Sequence, residues 1–383
     1  MRLNGWVLLW AAYVVPTFAL AATPSGKITT FLAPCAGTGA GVGEGTFATG
    51  INNAGVVVGY CAKVVQANLV VKGFVRAVNG NITSFVVPPQ NGINTNGTYP
   101  NAIGDSGAIV GYFQDWYDAF HGFVRSSNGQ FTIFDVSNPG TSGNQGTKAV
   151  AINQAGDITG TYLDAAGVSH GFLRTSSGAI SVIDAPGAGN GNKQGTFPVS
   201  IRGGVVNNYS LIIGYYIDGN NIAHGFRADN SGFMDSFSIP GAGKNTDMSG
   251  THFTAQAPIG GAITGWYLDS QGTMVHGFWV NFDATGVVHQ FDVPNIGGPG
   301  VDQGTFPTAF ANKTIAGHYV DDTYTWRGFV RKNGVFTVFK IPGQARFGTF
   351  VKGINGSGVV VGQYTYYVGN QGWTEMGGFI RSN

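Results

Sequence analysis

Aspartate and histidine recur at similar spacing along this chain, in an arrangement that acid–base chemistry or a metal site could use. An aspartate lies at the end of an apolar segment at five places: Asp115, Asp164, Asp218, Asp269 and Asp321. A histidine lies at the start of the following apolar segment at four places: His121, His170, His224 and His276. A catalytic site is single and asymmetric, so a group that recurs this often is better explained by a structural need of every repeat. We therefore expect a hydrogen-bond network that satisfies buried polar groups.

Departures from the pattern carry more functional information. Lys72, Arg327 and Gly377 stand where other repeats have histidine. The neighbouring loops also carry aromatic residues: Trp116, Tyr117, Tyr324, Trp326, Tyr366, Tyr367 and Trp373. Flat rings beside Asp115, Asp321 and Arg327 could stack on sugars while the polar groups bind hydroxyls. The alternative is that these rings pack between repeats.

Gly-Thr pairs divide the chain into seven repeats of roughly fifty residues. The repeats begin near residues 45, 97, 146, 195, 250, 304 and 348. Each holds four short runs rich in Val, Ile, Phe, Tyr and Thr, separated by Gly and Asn turn signals. This pattern predicts a four-stranded antiparallel sheet, with strands A to D. The threonines, among them Thr98, Thr147 and Thr196, are expected to join the Asp and His network and to tie strand A to the B–C hairpin.

The two ends of the chain favour a closed ring of repeats. The seventh repeat stops at "GGFIRSN", after its third strand, whereas "GKITTFLAPCAG" at 26–37 aligns with the fourth-strand segment "GAISVIDAPGAG" at 178–189. Residues 26–37 are therefore expected to complete the last sheet and remove its exposed edge. The predicted fold is all-β: a seven-bladed β-propeller of four-stranded blades, formed by residues 22–383 as one domain.

Cys35 and Cys61 are the two cysteines of the chain. In the predicted ring, Cys35 follows the closing strand and Cys61 ends strand B of the first blade. A disulfide between them would fasten the closure. Free buried thiols are the alternative, and the spacing does not match a zinc site.

Composition and the N-terminal residues indicate an exported protein. An apolar run from Trp6 to Ala19 leads into Ala19-Leu20-Ala21, which predicts a signal peptide over 1–21 and a mature chain that begins at Ala22. The formal charge is +1 and the basic residues are scattered, so neither nucleic acid nor a membrane surface is an expected partner. We expect a periplasmic or extracellular monomer that uses no cofactor or metal, because no motif for either is found.

The string "IN..G.VVG", followed by "HGF", resembles the bacterial extracellular repeats of the HAF family. Ile51-Asn52, Gly55 and Val57 to Gly59 carry the resemblance in the first repeat, and Ile354-Asn355, Gly358 and Val360 to Gly362 in the seventh. In the third repeat it rests on Ile152-Asn153, Gly156, Gly160 and His170-Gly171-Phe172. The fourth and fifth repeats match poorly between strands A and B. The resemblance implies export and a repeat scaffold, and it supplies no reaction.

The turns A–B and C–D are short, whereas the B–C and D–A loops are longer and share one face of the disc. Loops carry most binding groups, so a functional face is expected there. The leading hypothesis is a non-enzymatic exported propeller that binds a polysaccharide, an envelope protein or a small ligand through this face. The alternatives are an enzyme acting on glycans or lactones and a purely structural surface module. The enzyme would use a few residues at the channel mouth, drawn from Asp115, His121, Asp321 and Arg327.

Overall fold

The computed structural model describes residues 26–37, 43–90, 92–203, 209–243, 249–257, 261–282, 286–300, 303–368 and 373–382. The predicted signal peptide over 1–21 and the start at Ala22 lie outside these residues. The described residues form 28 strands and no helix, so the prediction of an all-β chain is confirmed. Nothing in the described part of the chain is a helix long and apolar enough to cross a membrane.

The strands follow one another in antiparallel runs, which we call units and number as the repeats. After β1 (Ile28–Phe31), unit 1 contains β2 (Gly45–Ile51), β3 (Val57–Val65), β4 (Asn68–Arg76) and β5 (Ile82–Phe85). Unit 2 contains β6 (Thr95–Ile103), β7 (Ile109–Asp115), β8 (Phe120–Arg125) and β9 (Phe131–Phe134). Unit 3 contains β10 (Gly146–Ile152), β11 (Ile158–Leu163), β12 (Ser169–Arg174) and β13 (Ile180–Ile183). Unit 4 contains β14 (Gly195–Gly203), β15 (Ser210–Ile217), β16 (Ala223–Asp229) and β17 (Met234–Phe237). Unit 5 contains β18 (Thr251–Gln256), β19 (Ala262–Leu268), β20 (Val275–Asn281) and β21 (Val288–Phe291). Unit 6 contains β22 (Thr305–Ala311), β23 (Thr314–Val320), β24 (Trp326–Lys332) and β25 (Val335–Phe339). Unit 7 contains β26 (Gln344–Ile354), β27 (Val360–Val368) and β28 (Trp373–Arg381).

Each third strand carries a phenylalanine that is fully buried in the core. These residues are Phe74, Phe123, Phe172, Phe226, Phe278, Phe329 and Phe379. The preceding glycine leaves room for the ring of the fourth strand: a Cβ on Gly122 would lie 2.7 Å from Phe134. The Gly-Phe pair therefore fixes how strands C and D pack in one unit.

Successive units contact each other closely at the start of strand A. Gly146 pairs with Phe120 of the preceding unit and has φ +107°. A Cβ there would lie 2.1 Å from the Phe120 carbonyl oxygen, so only glycine fits. The next residue, Thr147, accepts a hydrogen bond at its Oγ1 from the Val136 N–H, which follows the previous strand D.

The same threonine contact occurs at six of these connections, with distances between 2.8 and 3.2 Å. The acceptors are Thr46, Thr98, Thr147, Thr196, Thr251 and Thr305. The prediction that threonine ties strand A to the B–C hairpin was therefore wrong in its partner. The hydroxyl binds the D–A connection because the residue two positions after the end of strand D lies beside the start of the next strand A.

An arginine near the end of strand C makes a second contact with the preceding unit. Its guanidinium lies over the strand D phenylalanine of that unit, at about 5 Å, a cation–π geometry. The pairs are Arg76 with Phe31, Arg125 with Phe85, Arg174 with Phe134, Arg331 with Phe291, and Arg381 with Phe339.

The N-terminal strand β1 pairs antiparallel with β28, from Ile28↔Arg381 to Phe31↔Gly378. Beyond it, the Ala33 N–H donates to Thr46 Oγ1 at 2.9 Å. Cys35 and Cys61 form a disulfide with their Cα atoms 5.7 Å apart, which confirms the predicted pair. Strand β1 therefore contacts unit 1 in the same way as the fourth strand of one unit contacts the next.

Candidate functional site

Three polar side chains lie in a row at the loop end of unit 2. Asp115 ends β7, His121 lies in β8 and Asp135 follows β9. His121 Nδ1 lies 2.7 Å from Asp135 Oδ2, and Nε2 lies 3.5 Å from Asp115 Oδ2. Asp115 also accepts the backbone N–H groups of Tyr117 and Ala119, each at 2.8 Å. The row therefore links strands B, C and D of one unit.

The row recurs in units 3, 4 and 5, with a serine in place of the second carboxylate in unit 4. The distance from histidine Nδ1 to the strand D oxygen is 2.9, 2.8 and 2.8 Å in these units. The members are Asp164, His170 and Asp184; Asp218, His224 and Ser238; and Asp269, His276 and Asp292. Four units thus share one arrangement.

The flanking carboxylates favour the charged form of the imidazole. Burial lowers the pKa of His121, but the hydrogen bonds and charges of Asp135 and Asp115 outweigh burial and raise it overall. At His276 the hydrogen bond with Asp292 is the largest cause of a raised pKa. Both ring nitrogens of His121 are occupied by carboxylates, so the ring has no free nitrogen to present to a substrate.

The carboxylates bind opposite sides of the imidazole instead of converging on one point. Accordingly, within the described ranges no group of three or more His, Cys, Asp or Glu side chains is arranged to hold a metal ion. The histidine cannot bind a metal ion or exchange a proton with a ligand without breaking these hydrogen bonds. The geometry of the row suits a structural connection across the sheet.

In unit 6, Arg327 takes the place of histidine and its Nε pairs with Asp321 Oδ2. Asp321 is buried and also accepts the N–H groups of Thr323 and Thr325, each at 3.0 Å. Burial alone would raise the pKa of Asp321, but the hydrogen bonds from Thr323 and Arg327 lower it overall. The ion pair therefore replaces the histidine row with the same connection between strands B and C.

Lys72 and Gly377 occupy the histidine position in units 1 and 7. Lys72 pairs across the strands with Cys61, and Gly377 pairs with Tyr364. Neither unit carries the acid–histidine pair, so the row is interrupted on both sides of β1.

The aromatic residues of the B–C loops divide into two kinds. Trp116 and Tyr117 are 71% and 81% exposed, and Tyr324 is 55% exposed. Trp326, by contrast, packs against Phe306, Phe350 and His318, with ring centroids 5.2 to 5.4 Å apart. For Trp326 the packing alternative is the better description. The side chain of Trp373 lies outside the described part of the structure.

Two clefts open on opposite faces of the protein. One, of about 630 Å³, lies on the B–C and D–A loop face beside Tyr267, His276 and Asp292. The other, of about 770 Å³, lies between units 5 and 6 at the A–B and C–D turns. The larger cleft was not expected from the sequence. The sequence feature that could have indicated it is the poor match of the fifth repeat between strands A and B, because Ala257 and Ala262 from this region line the cleft.

No family model matches this chain, and no curated protein matches it. Among solved structures, the β-propeller domain of the Trilobed protease from Pyrococcus furiosus is similar at 8% identity with a TM-score of 0.52, over 86% of this chain and 94% of that one. Puromycin hydrolase is similar at 14% identity with a TM-score of 0.51, over 87% of this chain and 52% of that one, so this chain spans about half of that protein. The BP39L lectin from Burkholderia pseudomallei matches at 13% identity with a TM-score of 0.46, over 86% of this chain and 96% of that one. The first two similarities show the fold alone: the chain folds as a β-propeller.

Proposed function

We propose that this chain is an exported seven-bladed β-propeller of the HAF repeat type that binds a saccharide without transforming it. Closure by β1 is supported by its pairing with β28 and by the Cys35–Cys61 disulfide. The contact between the Gly356 N–H of unit 7 and Asn53 Oδ1 of unit 1, at 2.7 Å, adds to this support. The disulfide also fits an oxidising compartment.

The repeated acid–histidine rows support a binding function over catalysis. The same three positions recur in four units, and in each the histidine Nδ1 bonds to the residue after strand D. In units 2, 3 and 4 the Nε2 also contacts the carboxylate at the end of strand B. A general base needs a free nitrogen or oxygen within reach of a substrate proton. The carboxylates of a row already accept hydrogen bonds from its histidine and from its own turn. The rows therefore fit a framework that carries loops.

The exposed Trp116 and Tyr117 carry the proposal of saccharide binding on the B–C and D–A loop face. Large aromatic rings are seldom left this exposed in isolation, and adjacent rings beside polar groups suit the apolar face of a sugar. Asp115 fixes the turn that holds both rings through two backbone hydrogen bonds. The rings are thus presented on a preorganised hairpin, which reduces the entropy cost of binding.

A glycan array and a polysaccharide pull-down test this proposal on the purified mature protein and on the double variant Trp116→Ala, Tyr117→Ala. We expect saturable binding by the wild type and its loss in the variant. Phe233→Ala is a matched control, because Phe233 is also exposed but lies in the C–D turn of unit 4, on the opposite face.

Equal binding by the wild type and the double variant would contradict the loop-face proposal. Absence of glycan binding by folded wild type would leave the structural-module alternative as the better description. Cleavage of a bound glycan by the wild type would assign an enzyme, to be traced through Asp115, His121, Asp321 and Arg327.

A further inference from the structure

The cleft between units 5 and 6 has an aromatic wall on each side. Trp279 of β20 forms one side, and its indole stacks on His289 with centroids 4.1 Å apart and an interplanar angle of 11°. On the other side, Phe310, Ile315 and Arg331 lie next to each other across three strands of unit 6. The sheets hold both the stacked indole and the three side chains of unit 6 in place, so the cleft is a preformed surface.

The cleft arises from departures of the fifth repeat from the common pattern. Strand A of unit 5 ends at Gln256 and is followed by Ala257, where units 1, 3 and 7 have Ile and Asn. The small Ala257 and Ala262 line the space. Trp279 stands where five other units have an aliphatic residue: Val75, Val124, Leu173, Val330 and Ile380. The departures at Ala257 and Trp279 therefore give this one place the asymmetry that binding of one ligand requires.

The polar groups that line the cleft are cations and amides. They are Lys313 and Arg331 together with Asn281, Asn312 and Asn333, and none of the described lining residues is acidic. Arg331 lies over Phe291, and burial lowers the pKa of its guanidinium. Its buried Nε has no hydrogen-bond partner in the described structure, and the same holds for the equivalent arginines Arg76, Arg125, Arg174 and Arg381. Arg331 differs from them because it shares its cleft with Lys313, and two cations in one cleft favour a ligand that brings an anionic oxygen.

We propose that this cleft binds an acidic saccharide, namely a chain that contains a hexuronate. The sugar ring packs against Trp279, the carboxylate lies between Arg331 and Lys313, and the exposed Asn333 amide binds a ring hydroxyl. A neutral sugar leaves the two cations unpaired. An aliphatic acid leaves the indole and the Asn333 amide unused. This site is separate from the proposed loop-face site and does not depend on it.

Isothermal titration calorimetry with trigalacturonate tests the proposal on the whole mature protein, with galactotriose as the neutral probe. We expect saturable binding of the acidic trisaccharide that weakens at high salt, and binding of the neutral one about tenfold or more weaker, since a charge-assisted hydrogen bond contributes at least that much. Arg331→Gln and Trp279→Leu should each weaken binding of trigalacturonate by a similar factor.

Arg125→Gln is the matched control, because Arg125 occupies the same repeat position over Phe85 and lies away from the cleft. It removes a similar cation–π contact and should leave affinity unchanged. If Arg331→Gln fails to fold, Lys313→Gln changes one exposed side chain of the cleft and should still weaken binding.

Absence of trigalacturonate binding by folded wild type would overturn the cleft proposal and leave the loop-face proposal standing. Binding that survives the cleft variants but is lost in Trp116→Ala, Tyr117→Ala would also overturn it and would place the acidic saccharide on the loop face. Equal affinity for galactotriose would refute the role given to Arg331 and Lys313.

Discussion

Removal of the Cys35–Cys61 disulfide should lower stability by an amount set by the loop that it closes. The bond joins residues 26 positions apart. The loop-entropy relation then gives about 3.5 kcal/mol at 25 °C for the double variant Cys35→Ala, Cys61→Ala. For a cooperative unit of this length that corresponds to a fall of roughly 5 °C in melting temperature. Thermal and urea unfolding followed by circular dichroism would measure both quantities.

A reducing agent supplies the control for this prediction. It should lower the stability of the wild type to that of the double variant, and it should leave the double variant unchanged. Unchanged stability in the double variant would refute the reasoning, because it would mean that the bond does not restrict the unfolded chain or that β1 is held without it. A fall in the single-cysteine variants but none on reduction would assign the effect to packing around the buried Cys61 instead.

Two further predictions concern the connections within and between units. Thr147→Val should lower the free energy of unfolding, measured in urea, by about 1 to 3 kcal/mol because the buried Val136 N–H loses its acceptor. The control Thr132→Val, on the exposed side of β9, should change it little. Equal losses of stability in the two variants would contradict the role of the threonine. Because Asp292 raises the pKa of His276, the stabilisation by this pair is complete below the usual histidine value near 6.5 and is lost as the pH rises through the raised pKa. His276→Gln should therefore flatten the fall in melting temperature above pH 6.5, and an unchanged slope would rule this pair out as its source.

Local patterns of the sequence were sufficient to predict strands and their order. Short β-rich runs between Gly and Asn turns gave the four strands of most units, because hairpin pairing depends on neighbouring residues. The alignment of residues 26–37 with 178–189 anticipated the pairing of β1 with β28. The disulfide followed from that register, since it brings Cys35 next to the end of strand B.

Contacts that depend on side-chain size between units could not be predicted in the same way. The two exposed rings of unit 2 and the packed Trp326 share one loop context in the sequence. Trp326 turns inward because Phe306 and Phe350 provide a surface for it. The cleft beside Trp279 depends on which residues are small across an interface of two units, and a pattern read along one repeat contains no such information.

The position of β1 has a mechanical consequence. Its first residue lies beside the last residue of β28, at Ile28↔Arg381, so a force that pulls the two ends apart acts on one residue pair at a time. Such peeling offers low resistance along the four pairs to Phe31↔Gly378. The load then reaches Cys35, where a covalent bond to β3 transfers it to the first sheet. The contact between β1 and β28 should therefore yield easily over a short extension, after which resistance should rise.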